Sequence, residues 1–142
     1  MEAVRLVSRE EVLSTLPHGE EHVCIDYVNV YDNYCIAYRQ YTASCKEIEG
    51  HFPDYKVVPG HWLVEAMLQS SVFCPVSYNK DVTAVSSRVL SLKRCDFVSE
   101  VAPTDLVSFT VKVLTEVGEI CTYSCVGMCN NTIVCRAEFI VK

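Results

Sequence analysis

The sequence has few basic residues. Lys and Arg number 12 against 18 Asp and Glu, which gives a formal net charge of −6. Proteins that bind nucleic acids normally carry a basic stripe with aromatic side chains between the charges. The deficit of positive charge therefore argues against a nucleic-acid partner.

Long apolar runs and flexible stretches are also lacking. No window reaches the roughly 18 uncharged apolar residues that cross a bilayer, and the N-terminal MEAVRLVSREE lacks the apolar core of an export signal. No linker, low-complexity tract or internal repeat interrupts the chain. Because 142 residues with 50% hydrophobic content can bury one core, we expect a single domain over 1–142. Since the sequence shows neither a membrane span nor an export signal, we expect the protein to be soluble and cytoplasmic, without a membrane partner.

Cysteine, in contrast, is abundant, with nine residues. None of them forms a CxxC pair, which is poor spacing for a zinc site. In the most regular run, Cys121, Cys125 and Cys129 would share one face of a strand, but neighbouring cysteines would lie about 13 Å apart, too far for a shared ion. We therefore expect small core residues in a reducing compartment rather than a metal site or a disulfide framework, and no cofactor.

Strand and turn signals dominate the rest of the sequence. Asp32-Asn33 and Asn130-Asn131 are predicted turns, since asparagine tolerates the positive φ of a tight hairpin. β-branched and aromatic residues predict strands on both sides of these turns. The predicted strands cover 22–31, 34–42, 81–97, 106–116, 120–129 and 132–141.

Two helices are predicted between these strands. Ser8 and Glu11 form a capping-box pattern that begins a short helix over 8–15. Pro59 lies at the first turn of a second helix, which Pro75 ends. The second helix is apolar on nearly every side, which predicts burial all round. One buried helix with an antiparallel sheet wrapped around it is an α+β fold of the hot-dog arrangement.

One carboxylate interrupts this apolar helix, since Glu65 is the only charged residue between Trp62 and Tyr78. A buried carboxylate without a partner is costly, so Glu65 should have a partner or a wet cavity. His61 lies one turn earlier on the same helix face, and His51 lies in the preceding loop. Spacing alone favours a structural reading, in which His61 and Glu65 are a helix-stabilising pair and His51 is an ordinary loop residue.

A longer stretch carries a family resemblance. The segment GHFPDYKVVPGHWLVEAMLQ, residues 50–69, resembles the signature of the FabZ-type 3-hydroxyacyl-[acyl-carrier-protein] dehydratases, which is close to GHFPGxPVxPGxLxxEAMAQ. Outside residues 50–69, two further segments resemble the family's LPHRxPFLLxDRV and ARFxxPVxPGD segments. The matching residues are Gly50-His51-Phe52-Pro53, Val58-Pro59-Gly60, Glu65-Ala66-Met67 and Gln69, then Leu16-Pro17-His18, Ile25-Asp26 and Val28, and Phe97, Pro103 and Asp105.

The resemblance implies removal of water from a 3-hydroxyacyl thioester, giving a trans-2-enoyl thioester in fatty acid or related acyl or polyketide synthesis. His51 would be the base that takes the C2 proton. Glu65 would orient or protonate the leaving hydroxyl, and its apolar helix would favour the protonated form. Backbone N–H groups at Gly60, at the helix N-terminus, would bind the thioester oxygen.

The resemblance also implies an assembly. In the family, His51 of one protomer would face Glu65 of the other, so we expect a homodimer, with a trimer of dimers as a further option. An apolar acyl tunnel would run beside the central helix. The residues expected to contact substrate are Phe52, Pro59, Gly60, His61, Trp62 and Gln69.

Several positions depart from the family pattern. Asp54 and Lys56 replace glycine and proline in the loop, and His61 replaces a small or aliphatic residue at the helix start. Asp96, with Val98 and Ser99, stands where the family tends to have basic residues that suit an acidic carrier protein. The carrier therefore stays open between acyl carrier protein, a dedicated carrier of a specialised pathway, and CoA.

Two other functions fit the same fold. A hot-dog thioesterase uses a helix-borne acid and the same helix N-terminus to assist attack of water on the thioester. A non-catalytic hot-dog protein would bind acyl chains or serve as a subunit of a larger assembly. Release of free thiol, or acyl binding without turnover, would identify these alternatives.

Overall fold

The computed structural model describes residues 2–49, 56–77 and 88–142. Within these residues the helices are α1 (Arg9–Thr15) and α2 (Gly60–Ser71), with a 3-10 helix at Glu20–His22. Neither α1, α2 nor any other helix of this part of the chain is long and apolar enough to span a bilayer. The strands are β1 (Arg5–Val7), β2 (Tyr27–Val30), β3 (Tyr34–Gln40), β4 (Val89–Phe97), β5 (Leu106–Val117), β6 (Ile120–Cys129) and β7 (Thr132–Val141).

The strands form one antiparallel sheet in the order β1-β2-β3-β5-β6-β7-β4. Helix α2 packs against β3, β5, β6 and β7. Its buried Leu63, Ala66 and Met67 meet a core that includes the fully buried rings of Phe109 and Phe139. The predicted α+β architecture, an antiparallel sheet around a central helix, is confirmed.

The last hairpin lies at its predicted bounds, because β6 alternates strictly between inward and outward residues and two asparagines form the turn. On β6, the odd-numbered positions from Cys121 to Cys129 are buried and face the core. The turn residues Asn130 and Asn131 have φ angles of 50° and 63°. This is the left-handed backbone conformation predicted for the turn, in which asparagine is tolerated better than most residues.

Replacing Asn131 with alanine is expected to lower the free energy of unfolding by about 1 kcal/mol, because a left-handed backbone disfavours a Cβ atom. Asn131→Gly should leave stability unchanged or raise it. Urea unfolding at fixed protein concentration measures the difference. Asn33→Ala is the matched control, an exposed turn asparagine without positive φ. Equal effects of the two alanine variants would contradict the turn argument.

The first long strand begins later than predicted. The segment 22–31 contains β2 only from Tyr27, because the backbone N–H of Cys24 donates to Oε1 of Gln69 at 2.7 Å instead of to a neighbouring strand. Strand β1 was not predicted, since three residues carry too little alternation to be recognised. Strand β4 begins at Val89, and the predicted strand residues 81–87 lie outside the described residues.

Burial of α2 on every side is a wrong prediction for the single chain. The sheet covers one face, where Leu63, Ala66 and Met67 are buried. On the other side His61 is exposed, and Glu65 is only half-buried. Half-buried residues also include Trp62, Val64 and Leu68. Apolar composition alone could not reveal that the described residues of the same chain cover this face only in part.

Most cysteines lie in the core, as predicted. Seven of the nine are buried, and Cys45 and Cys95 are half-buried. Burial, reinforced for Cys24 by the charge of Glu47, raises the pKa of the Cys24 thiol to about 12. Burial raises the pKa of Cys135 to about 12 as well. These thiols are therefore protonated at neutral pH and pack as small apolar side chains.

Candidate active site

Glu65 lies at the middle of α2 with its side chain 35% exposed. Its Oε1 accepts a hydrogen bond from Nε2 of Gln69 at 2.9 Å, and Nε2 of His18 lies 3.2 Å from the same oxygen. The prediction that Glu65 has a partner is therefore confirmed in the single chain, whereas the apolar surroundings expected to favour its protonated form are not seen there. One hydrogen bond and the nearby imidazole ring therefore meet at the same oxygen of Glu65.

Gln69 fixes Glu65 to the segment before β2. The Gln69 side chain is buried, and its Oε1 accepts the backbone N–H of Cys24 at 2.7 Å. Its Nε2 donates to the carbonyl oxygen of His22 at 2.8 Å as well as to Glu65. Since the backbone dictates where the oxygen and the NH₂ group lie, the amide has one orientation and always offers a donor to Glu65.

A cavity of about 180 Å³ adjoins Glu65. It is bounded by the first residue of β4, Val89, and by the last residue of β7, Val141. Since β4 is an edge strand, this cavity lies at one end of the sheet. Its lining residues are Pro17, His18, Glu65, Leu68, Gln69, Ser71, Val72, Val89 and Val141.

His18 is a site residue that sequence reasoning missed. It follows Pro17 just beyond α1, and its Nδ1 is buried without a hydrogen-bond partner in the described part of the chain. The LPH match at the N-terminus contained His18, but 47 residues separate it from Glu65 along the sequence. That match was the available signal, and it gave the residue no role.

The N-terminus of α2 faces a second cavity, of about 280 Å³. Pro59 is the buried N-cap residue, and Gly60 begins the helix. A Cβ atom on Gly60 would approach the Phe97 ring to 2.8 Å, so a larger residue here would require the exposed Phe97 ring to move. The cavity is lined by Val57, Val58, Gly60, Leu63, Phe97, Val98, Ser99, Glu100 and Val101.

Other predicted site residues are not brought to these cavities. His61 is exposed and lies against the Trp62 ring with centroids 5.5 Å apart, and Nζ of Lys46 lies 5.9 Å from the Trp62 centroid. Among the described residues, Glu65 contacts His18 and not His61. His51 and Phe52 lie outside the described residues.

A buried ion pair holds the turn that leads toward residue 51. The fully buried carboxylate of Glu47 accepts two hydrogen bonds from Arg39, at 2.8 and 2.9 Å. A third donor nitrogen of Arg39 lies 2.9 Å from Oδ1 of Asp26. Burial alone would lower the pKa of Arg39, but the hydrogen bonds and charge of Glu47, together with Asp26, outweigh it and raise this pKa. The charges therefore stay ionised and paired.

Comparison with known proteins identifies the family. Residues 16–138 match a family profile described as a FabA-like domain. The 3-hydroxyacyl-[acyl-carrier-protein] dehydratase FabZ of Saccharophagus degradans is 31% identical over 134 residues, covering 89% of this chain and 90% of the relative. The chain belongs to the FabZ-type dehydratase family. The FabZ dehydratase of Ehrlichia canis, 27% identical over 135 residues, covers 92% of this FabZ-type chain and 91% of its own length.

Solved structures agree with the fold of this FabZ-type chain. One is the dehydratase heterocomplex ApeI:P of Xenorhabdus doucetiae, with a TM-score of 0.69, 14% identity and coverage of 92% of this chain and 88% of that chain. Another is the PaaI protein of E. coli, with a TM-score of 0.63, 13% identity and coverage of 82% and 77%. At these identities the likeness concerns the fold alone.

The acidic departure at Asp96 is neutralised in this FabZ-type chain. Oδ2 of Asp96 accepts hydrogen bonds from Nε of Arg94 at 2.8 Å and from Nε of Arg136 at 3.1 Å. The two hydrogen bonds hold the pKa of Asp96 below its usual range. Asp96 therefore occupies two of the arginines that this surface could offer to an acidic partner.

Proposed function

We propose that this FabZ-type protein is a hydro-lyase that removes water from a 3-hydroxyacyl thioester carried on acyl carrier protein. The observation that carries the proposal is Glu65, a carboxylate fixed at the wall of a cavity on the central helix. The family match over residues 16–138 supports it. The HFP and EAM segments, which the sequence keeps at the family's spacing, support it further.

The reaction needs three groups. His51 would take the proton from C2, and the C3–O bond would break as the hydroxyl gains a proton and leaves as water. That proton would come from Glu65 in its protonated form, or from His51 once it holds the C2 proton while Glu65 orients the hydroxyl. Negative charge that develops on the thioester oxygen would be stabilised by backbone N–H groups at Gly60, where the helix has its positive end. None of these steps requires a metal or an organic cofactor.

The remaining proposed substrate residues have different roles. Gly60 lines the cavity at the helix start, and Pro59 shapes that start as the N-cap residue. Gln69 lines the Glu65 cavity but would act through Glu65, because its amide is fully engaged. Phe52, with His61 and Trp62, stays a proposed contact.

We propose a homodimer whose sites are shared between subunits. Strand β4 is hydrogen-bonded to β7 on one side and, among the described residues, ends the sheet on the other. Val89, Leu90 and Leu92 of this edge are 46–52% exposed, and an exposed apolar edge strand favours pairing with another chain. Because Val89 also borders the Glu65 cavity, a second copy paired along β4 would lie over that cavity. A trimer of dimers is compatible with this arrangement.

The carrier and the location follow from the same proposal. An acyl carrier protein fits the family, while the engagement of Arg94 and Arg136 by Asp96 keeps CoA as the alternative carrier. A reducing, cytoplasmic location suits a chain with nine cysteines and a thioester substrate. We also propose that residues 1–142 form one domain, since the sheet extends from β1 to β7 with one core cluster.

The direct test follows the product. The purified protein is incubated with 3-hydroxyacyl thioesters of several chain lengths, on acyl carrier protein and on CoA, while enoyl formation and free thiol are measured separately. We expect enoyl thioester without thiol release, at the higher kcat/KM with the carrier protein. Thiol release without enoyl product would identify a thioesterase, and acyl binding without either product a non-catalytic subunit.

A further inference from the structure

We infer that His18 is a positioning residue for Glu65, so that the acidic half of the site is a unit of three side chains, His18, Glu65 and Gln69. The inference rests on the proposed dehydratase function and assigns a residue that the HFP and EAM segments do not contain. His18 reaches Glu65 from the turn after α1, whereas Gln69 reaches it from within α2.

The proton on His18 can be placed from its surroundings. Nε2 lies 3.2 Å from Oε1 of Glu65, whereas Nδ1 is buried with no hydrogen-bond partner among the described residues. A neutral imidazole has one N–H donor and one acceptor nitrogen. Because a hydrogen on Nδ1 would be a buried donor without an acceptor, Nε2 is the nitrogen that carries the hydrogen and donates it to Glu65.

Both neighbouring side chains approach the same oxygen of the Glu65 carboxylate. Nε2 of Gln69, at 2.9 Å, and Nε2 of His18 both meet Oε1. In the described part of the chain Oε2 has no hydrogen-bond partner, so it is the oxygen left for the substrate hydroxyl or a water. A carboxylate held at one oxygen keeps the other in a fixed place, which is the geometric condition for efficient proton transfer.

His18 and Gln69 constrain Glu65 in different directions. Gln69 is anchored to the backbone at His22 and Cys24, while His18 lines the cavity and is partly exposed, with 32% of its side chain accessible. Loss of His18 therefore removes the donor on the cavity side without unfolding the Gln69 anchor. We expect Glu65 to rotate away from its productive position in that case.

The test compares two substitutions at one position. His18→Leu should lower kcat by roughly 10- to 100-fold with little change in KM, because a displaced catalytic group affects the chemical step. His18→Gln is the matched control, since its side-chain NH₂ group replaces the Nε2 donor, and it should keep most of the activity. An equal loss in both variants, or no loss in His18→Leu, would overturn the inference.

A double-mutant cycle separates positioning from a merely structural role. If His18 acts through Glu65, His18→Leu should change the residual kcat of Glu65→Gln by less than about twofold, because the partner it positions is already lost. A full additional loss in the double variant would overturn the inference. Urea unfolding of each variant shows whether stability accounts for any change.

A spectroscopic measurement tests the contact between His18 and Glu65 independently of the proposed reaction. In the ¹⁵N-labelled protein, His18 should give an Nε2–H proton signal protected from exchange, and Glu65→Leu should abolish it. This result does not depend on any turnover. If the signal is present but no thioester is dehydrated, the proposed function fails while the contact stands; if the signal is absent from the wild-type protein, the inference is overturned.

Discussion

Two inactive variants, His51→Ala and Glu65→Gln, are expected to regain activity when they are unfolded together and refolded as a mixture. Each substitution alone should lower kcat/KM by roughly 10²- to 10⁴-fold, the usual contribution of a general acid or base. In the proposed dimer, however, His51 and Glu65 of one site come from different chains. A mixed dimer then has one site with both substitutions and one site with neither.

The size of the recovery follows from the symmetry of the dimer. Random pairing makes half of the dimers mixed, and half of the sites in a mixed dimer are intact, so the mixture should reach about one quarter of wild-type activity. The measurement is the rate of enoyl formation at fixed total protein concentration. Analysis of subunit exchange by mass spectrometry confirms that mixed dimers are present.

Two controls give the result its meaning. Each variant refolded alone should stay inactive, and Glu10→Gln, which changes an exposed carboxylate of α1, should be as active as the wild-type protein. If the refolded mixture contains mixed dimers and still shows no recovery, His51 and Glu65 of one site belong to the same chain. The shared-site proposal would then be wrong, whereas the proposed reaction would stand.

Replacing Glu47 with leucine is expected to lower the free energy of unfolding by about 3 kcal/mol or more, because it leaves the Arg39 guanidinium buried without its main partner. Asp26 still contacts Arg39 at 2.9 Å but is partly exposed, so it compensates only in part. Urea unfolding at fixed protein concentration should show a lower midpoint with an unchanged m value.

The double variant Arg39→Met/Glu47→Leu tests whether the unpaired guanidinium causes the loss of stability. Removing both charges removes the stranded guanidinium, so most of the lost stability should return, as it does when buried ion pairs are replaced by apolar residues. Glu2→Gln changes an exposed carboxylate ahead of β1 and should have an effect within about 0.5 kcal/mol. A double variant as unstable as Glu47→Leu would contradict the explanation.

Sequence patterns predicted the elements that depend only on residues close together in the sequence. The strands 120–129 and 132–141 were predicted at their observed bounds, because the alternation of β6 and the two turn asparagines are local signals. The register shift between Gly127 and Met128 was not predicted. The start of α2 was predicted because Pro59 suits a helix N-terminus. In contrast, the late start of β2 depends on Gln69, a side chain 45 residues away from Cys24, and no local pattern contains that contact.

The candidate site also contains one residue that the sequence predicted and one contact that it did not. Glu65 was found because a single charge in an apolar helix needs a reason, and the surrounding motif supplied one. The candidate partners were His51, which lies outside the described residues, and His61 on the same helix face, but the side chain that lies 3.2 Å away is His18. Helical spacing fixes only which residues can share a face, whereas the contact with His18 depends on how α1 and its turn pack against α2.

The buried cysteines of the core can report local unfolding, because each thiol becomes reactive only when the structure around it opens. Alkylating reagents attack thiolates, and both burial and a pKa near 12 protect Cys24 and Cys135 while α2 stays seated on the sheet. Half-buried Cys45 and Cys95 are more accessible in the folded state, although burial also raises the pKa of the Cys95 thiol. The order in which the nine sulfurs acquire a covalent tag would therefore trace the sequence of local unfolding without any engineered probe.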